Sequence, residues 1–149
     1  MKKLSFLLFF LLFTTLSYAQ LGARIYSEVT HVSPKIGAVV TYSIPGYIGD
    51  IALGGFYQQS ATAVGDPNEP MQMRYEEEFF GLFTSFTVLD KQVFELDVDI
   101  RTGMANNSSF VITPSVMGNL KLGRHVKLNA GIGTRCFRPS YLAGLSVTF

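Results

Sequence analysis

The chain has 149 residues, 12 Lys and Arg, 11 Asp and Glu and a formal net charge of +1, so it offers no basic excess for nucleic-acid phosphates. It is 48% hydrophobic and 15% charged, with 14 Gly, 13 Phe, 7 Tyr and one Cys. The lone Cys136 excludes an internal disulfide framework. Two histidines and that cysteine, without Cys-x-x-Cys, His-Glu-x-x-His or calcium-loop spacing, form no metal motif, and nothing in the chain points to a cofactor.

Met1-Lys2-Lys3 is a positive n-region, Leu4 to Leu16 an apolar run, and Ser17-Tyr18-Ala19 a small-residue cleavage site. This layout predicts a secretory signal over residues 1–19, cut after Ala19. The apolar run is too short for the ~20 residues of a spanning helix. Gln20 rather than Cys follows the cut, so no lipoprotein is implied. The mature chain, 20–149, carries ten basic and eleven acidic residues and suits one domain.

From Gln20 onward the apolar residues alternate. Leu21, Ala23, Ile25 and Val29 oppose Gly22, Arg24, Tyr26 and Glu28. A short turn at His31 to Pro34 precedes Ile36, Ala38, Val40, Tyr42 and Ile44, set against Gly37, Val39, Thr41 and Ser43. Pro45-Gly46 and Gly49-Asp50 are turn signals. A weakly alternating third strand, Ile51 to Gln59, leads to a long polar loop, Ser60 to Gln72. The fourth strand is predicted from Arg74 to Val88, with Phe80, Leu82, Phe86 and Val88 on one face and Phe79, Gly81, Phe83 and Ser85 on the other. Leu89-Asp90-Lys91 is predicted as a tight turn.

In the fifth strand Phe94, Leu96, Val98 and Ile100 alternate with Glu95, Asp97, Asp99 and Arg101. A helix of period 3.6 would smear these two groups around its circumference. After a polar tip at Ala105 to Ser108, Phe110, Ile112, Val116 and Leu120 oppose Thr113, Ser115, Asn119 and Lys121. Pro114 lacks a donor and should weaken that ladder locally or mark a bulge. Beyond Leu122-Gly123-Arg124, Val126, Leu128, Ala130 and Ile132 oppose His125, Lys127, Asn129 and Gly131. Thr134 to Pro139 is read as a short loop into the last strand.

That last strand runs Tyr141, Ala143, Leu145, Val147 and Phe149 on one face, with Leu142, Gly144, Ser146 and Thr148 on the other. An alternating strand that stops on Phe149 resembles the closing strand of bacterial outer-membrane β-barrels. The resemblance covers the mature chain, to the small OmpX-type group, through its general pattern and not through a diagnostic motif. It implies an all-β fold: a closed, antiparallel, up-and-down transmembrane barrel of about eight strands in a Gram-negative outer membrane. It further implies that Tyr141, Leu145, Val147 and Phe149 are the signal read by the barrel-insertion machinery. If both termini are periplasmic, the turns at Pro45 to Gly49, Leu89 to Lys91 and Leu122 to Arg124 are inner ones. The long Ser60 to Gln72 loop is then outside, as loop lengths in such barrels require.

Lipid cannot satisfy backbone polar groups, so spanning strands must close, the first pairing with the last. The apolar parity then faces lipid. The polar parity places Arg24, Tyr26, Glu28, Glu95, Asp97, Asp99, Arg101, Lys121, Lys127 and Asn129 inside. Glu28, Glu95, Asp97 and Asp99 balance Arg24, Arg101, Lys121 and Lys127, as an ion network in a sealed interior needs. A proton or ion path is the sharper alternative, but about eight strands leave little room for water. Tyr42, Tyr57, Tyr141 and Phe149 are candidates for interfacial girdles.

No catalytic residue is assigned. His31-Val32-Ser33 with Glu28 nearby is the one nucleophile-and-base pattern, and some eight-stranded outer-membrane enzymes that remodel lipid A resemble this chain in size. That alternative predicts loss of lipid A remodelling on His31→Ala or Ser33→Ala. A second alternative is a secreted soluble β-barrel carrying a hydrophobic ligand, its apolar faces inward. Asp66, Glu69 and Glu76-Glu77-Glu78 form an acidic outer rim, read as a solvated edge with cation or basic-partner binding as the sharper option. The main reading is non-enzymatic: a monomer with membrane lipid around it, whose outer loops meet an unknown protein or lipopolysaccharide, or which is structural.

Overall fold

The computed structural model describes residues 20–30, 34–46, 49–60, 78–106, 109–135 and 137–149. The expected signal segment, His31 and Ser33, Asp66, Glu69, Glu76, Glu77 and Cys136 lie outside the described residues. Side-chain alternation builds eight strands: β1 Gln20–Val29, β2 Pro34–Ile44, β3 Ile51–Ser60, β4 Glu78–Asp90, β5 Phe94–Ala105, β6 Ser109–Lys121, β7 Val126–Arg135 and β8 Arg138–Thr148. Each pairs antiparallel with its neighbour in sequence, and β1 pairs with β8, so the sheet closes. Closure runs from Gly22↔Thr148 to Val29↔Tyr141, and the Phe149 amide adds a bond to the Leu21 carbonyl.

The register fixes the shape. Paired residues followed from Leu128 through Leu145, Ile25, Ala38, Tyr57, Phe80 and Met104 arrive in β6 at Phe110. Leu128 itself pairs with Leu120, so one circuit slips from 110 to 120 along β6, a shear of ten residues. Eight strands with that shear tilt by roughly 40° and enclose an interior just wide enough for side chains to fill.

Two turns differ from the sequence expectation. Leu89 and Asp90 are not in a turn but extend β4, because the β4–β5 register shifts between Thr87 and Leu89. Val88 is the extra residue of this β-bulge, which resets the parity so that Leu89 faces out and Asp90 faces in. The expected loop Thr134 to Pro139 is instead a tight hairpin: Thr134 pairs with Pro139 and Arg135 with Arg138, and Phe137 takes φ of 63° at the tip. Pro114 produces no bulge. It pairs with Ile100 in unbroken register, while the β6–β7 ladder stops beside it at Ser115↔Gly133.

The two faces of the sheet differ sharply. Ile25 is 66% and Leu82 71% exposed on the outer face, beside Val40, Ile112, Ile132 and Tyr141. Glu28, Asp97, Asp99 and Arg101 point inward and are buried. This is the reverse of a soluble barrel. Tyr57 and Tyr141 lie toward the end of the barrel that carries the β7–β8 hairpin tip at Phe137, Tyr42 and Phe149 toward the end that carries Gln20. Tyr141 and Phe149 are eight residues apart along β8, about 20 Å of axial height after tilt.

Candidate functional site: the barrel interior

The interior is built in three tiers. In the tier nearer the Phe137 hairpin tip, Arg101 reaches across the barrel from β5 to Glu28 on β1. Its Nη1 donates to Glu28 Oε2 at 3.0 Å and its Nη2 to Glu28 Oε1 at 3.2 Å, a two-pronged pair with both side chains buried. Nη1 also donates to the Tyr26 hydroxyl at 3.1 Å and to Gln58 Oε1 at 3.2 Å. Gln58 Nε2 donates in turn to Glu28 Oε2 at 2.7 Å. Arg135 joins from β7, with Nη1 3.6 Å from Glu28 Oε2 and 3.3 Å from Gln58 Oε1. Its guanidinium lies 4.5 Å from the centre of the Phe79 ring.

The middle tier is apolar. Val39, Phe83, Met117 and Leu142 are buried inside the barrel, on the same parity of their strands as the charged residues. Two glycines make room for this filling. A Cβ on Gly37 would meet the Tyr26 ring at 2.4 Å, and one on Gly131 would meet the Met117 sulfur at 2.4 Å. Bulk on one strand is thus matched by its absence on a neighbour.

The third tier lies toward the end carrying the β1 N-terminus. Arg24 donates to Asp99 Oδ2 and lies 3.8 Å from Asp97, its guanidinium over Phe83. Asp99 Oδ1 accepts from the Ser85 hydroxyl at 2.6 Å. Asp97 accepts from Thr87 at 2.9 Å and from Asn119 at 2.6 Å. Lys127 Nζ donates to both Glu95 oxygens, at 2.9 and 2.8 Å, while Lys121 is 3.6 Å from Glu95 and also pairs with Asp90. Asn129 donates to Asn119 and to Ser146. A polar vestibule of about 80 Å³ opens at this end, between Gln20, Ser43 and Thr148 at its mouth and Arg24 and Asp97 at its floor.

Each of Arg24, Glu28, Glu95, Asp97, Asp99, Arg101, Lys121 and Lys127 therefore lies within ion-pair distance of an opposite charge. Sequence reading missed Asp90, Gln58 and Arg135. The bulge hides the inward turn of Asp90, and Arg135 falls in the segment whose sequence predicts a loop. Gln58 sits in the strand with the weakest alternation. Among the described residues, no cluster of three or more His, Cys, Asp or Glu is placed to hold a metal ion.

Tyr141, Leu145, Val147 and Phe149 share the outer face of the β8 end, with Tyr141, Leu145 and Phe149 well exposed. The β8 end is tied to the adjacent turn: the Thr148 amide donates to the His125 carbonyl at 2.8 Å, and His125 Nδ1 is 2.8 Å from the Thr148 carbonyl.

No protein-family model matches the sequence, and no curated protein matches it either. Among solved structures, the chain is similar to the designed transmembrane β-barrel TMB2.3, determined by solution NMR: TM-score 0.64, 14% identity, 87% of this chain and 93% of that one. A second designed transmembrane β-barrel gives a TM-score of 0.59 at 8% identity over 88% of this chain and 94% of that one. The fold is that of a small transmembrane β-barrel. The Neisserial surface protein A aligns with 88% of this chain and 96% of its own at 15% identity and a TM-score of 0.45. At these identities the likeness concerns architecture alone.

Proposed function

We propose that this chain is a non-enzymatic, monomeric integral protein of a Gram-negative outer membrane, exported through cleavage of residues 1–19. Its polar interior is sealed, and its outer hairpins serve envelope structure or meet a protein or lipopolysaccharide partner. The observation that carries this reading is the inverted barrel. A closed cylinder with isoleucine, leucine and valine outside and paired carboxylates, guanidiniums and amines inside is stable only where the surrounding solvent is apolar. The reading as a soluble carrier meets the opposite arrangement: the interior holds charge, and its apolar tier is already filled by side chains.

The three tiers together support a sealed interior. The vestibule ends on Arg24 and Asp97, and Val39, Phe83, Met117 and Leu142 stand between it and the Arg101–Glu28 pair. Assembly is assigned to the terminal strand, with Tyr141, Leu145, Val147 and Phe149 offered to the insertion machinery. The test is fractionation of cells expressing the full chain, with gel mobility measured before and after boiling. The proposal expects the protein in the outer-membrane fraction, migrating faster unboiled than boiled. Recovery in the soluble periplasm would overturn it.

A further inference from the structure

At the end of the barrel that carries Gln20, two short turns stand side by side, residues 91–93 between β4 and β5 and residues 122–125 between β6 and β7. The ladder between β5 and β6 joins them. It runs to Phe94↔Leu120, and the Lys121 amide then donates to the Val93 carbonyl at 2.8 Å. Each turn is closed by a hairpin bond of its own, from the Lys91 amide to the Phe94 carbonyl at 2.8 Å and from the Leu122 amide to the Val126 carbonyl at 2.9 Å. Lys91 and Arg124 are thus carried on neighbouring turns with fixed backbones.

These turns are greasy as well as basic. Val93 is 60% and Leu122 59% exposed, one in each turn, and Leu122 shares the outward parity of Leu120. Just above them on the outer face Phe94 lies against Gly118, where an added Cβ would stand 3.2 Å from its ring. The nearby carboxylates are already engaged: Asp90 with Lys121, and Glu95 with Lys127 inside the barrel. Asp50 lies on the other side of β4, its carbonyl accepting from the Thr87 amide, and His125 turns Nδ1 to the Thr148 carbonyl. Lys91 and Arg124 are both exposed, and among the described residues neither forms an ion pair.

We propose that this double turn binds the headgroup of an anionic phospholipid, its phosphodiester between Lys91 and Arg124 and its acyl chains along Phe94, Leu120 and Leu122. The proposal rests on the reading of the chain as an outer-membrane barrel and adds to it a lipid class; in the orientation with both termini periplasmic, the lipid belongs to the periplasmic leaflet. Charge and greasiness together select the occupant. A phosphate accepts from the guanidinium fork of an arginine and from a lysine ammonium. The headgroup amine of a zwitterionic lipid would bring a third cation to the same place. A free soluble anion would match the charges but leave Val93 and Leu122 in water, whereas acyl chains cover them.

Native mass spectrometry of the detergent-extracted chain tests the site, with phosphatidylglycerol and phosphatidylethanolamine of the same acyl chains offered in equal amounts. A basic residue near an anionic lipid surface gains about fivefold in affinity, so two set the expected preference for phosphatidylglycerol at roughly 10- to 30-fold. Lys91→Gln combined with Arg124→Gln should bring the ratio close to one, while Lys91→Arg with Arg124→Lys should keep it. Arg138→Gln, which removes an exposed cation at the other end of the barrel, should leave it unchanged. Unboiled gel mobility shows that each variant has folded. A ratio near one in the wild type, a wild-type ratio in the double glutamine variant, or an equal loss in Arg138→Gln would overturn the site and leave the membrane barrel standing. Recovery of the chain in the soluble periplasm would overturn both.

Discussion

Arg101 and Glu28, 73 residues apart in sequence and on strands from opposite halves of the chain, meet inside the barrel through two hydrogen bonds of 3.0 and 3.2 Å. No local preference brings them together. Only closure of the sheet, β1 against β8, carries Glu28 round to face β5. Breaking such a pair leaves an uncompensated charge in a water-poor interior, which costs about 3 to 5 kcal/mol. Glu28→Gln should therefore lower the unfolding free energy in urea by that amount, because Arg101 and Arg135 both lose their carboxylate. The double change Glu28→Gln with Arg101→Met should cost clearly less than the sum of the two single changes.

A milder result is expected at the rim of the same interior. Asp90 pairs with Lys121 where the Asp90 side chain is 59% exposed, so solvent screens the attraction. Asp90→Asn should cost no more than about 1 kcal/mol in the same urea titration. Asp99→Asn, whose carboxylate is buried against Arg24 and Ser85, should cost at least twice as much.

Gly37 tests the packing of the apolar tier. Its missing side chain is replaced by the Tyr26 ring, which an added Cβ would meet at 2.4 Å. Gly37→Ala should cost about 1 to 3 kcal/mol by overpacking. Tyr26→Phe would leave this clash in place, whereas Gly37→Ala combined with Tyr26→Ala should relieve it and show strong non-additivity.

Strand β5 was legible because Glu95, Asp97, Asp99 and Arg101 alternate with Phe94, Leu96, Val98 and Ile100, and a period of two admits one conformation. Which of its faces points inward came from the resemblance to outer-membrane barrels, because the same alternation also fits a soluble barrel. Val88 was not legible: an extra residue in an apolar stretch leaves no compositional trace, yet it turns Asp90 inward. The apolar tier was legible only in part: Val39, Phe83 and Leu142 fall on the inward parity of their strands, but no single strand shows that they gather with Met117 at one height. The pairing of Arg101 with Glu28 instead of another carboxylate depends on shear, which is a property of the closed sheet and not of any one strand.

The terminal strand yields a prediction that separates folding from delivery. The Phe149 side chain is 72% exposed, and its backbone amide bonds to Leu21 whatever the side chain. Phe149→Ser should thus fold in detergent with near wild-type stability. In cells it should accumulate outside the outer membrane, as pulse-chase fractionation would show. Normal assembly of that variant would remove the insertion role assigned to this residue.

A spin-label scan along Phe94–Ala105 in lipid vesicles, in a background with Cys136 replaced by Ser, tests most directly which face of the sheet meets lipid. Labels at Leu96, Val98, Ile100 and Met104 should be accessible to membrane-dissolved oxygen, while those at Asp97, Asp99, Arg101 and Gly103 should be shielded from it. An oxygen profile of the opposite parity, or one with no period of two, would contradict the inverted barrel.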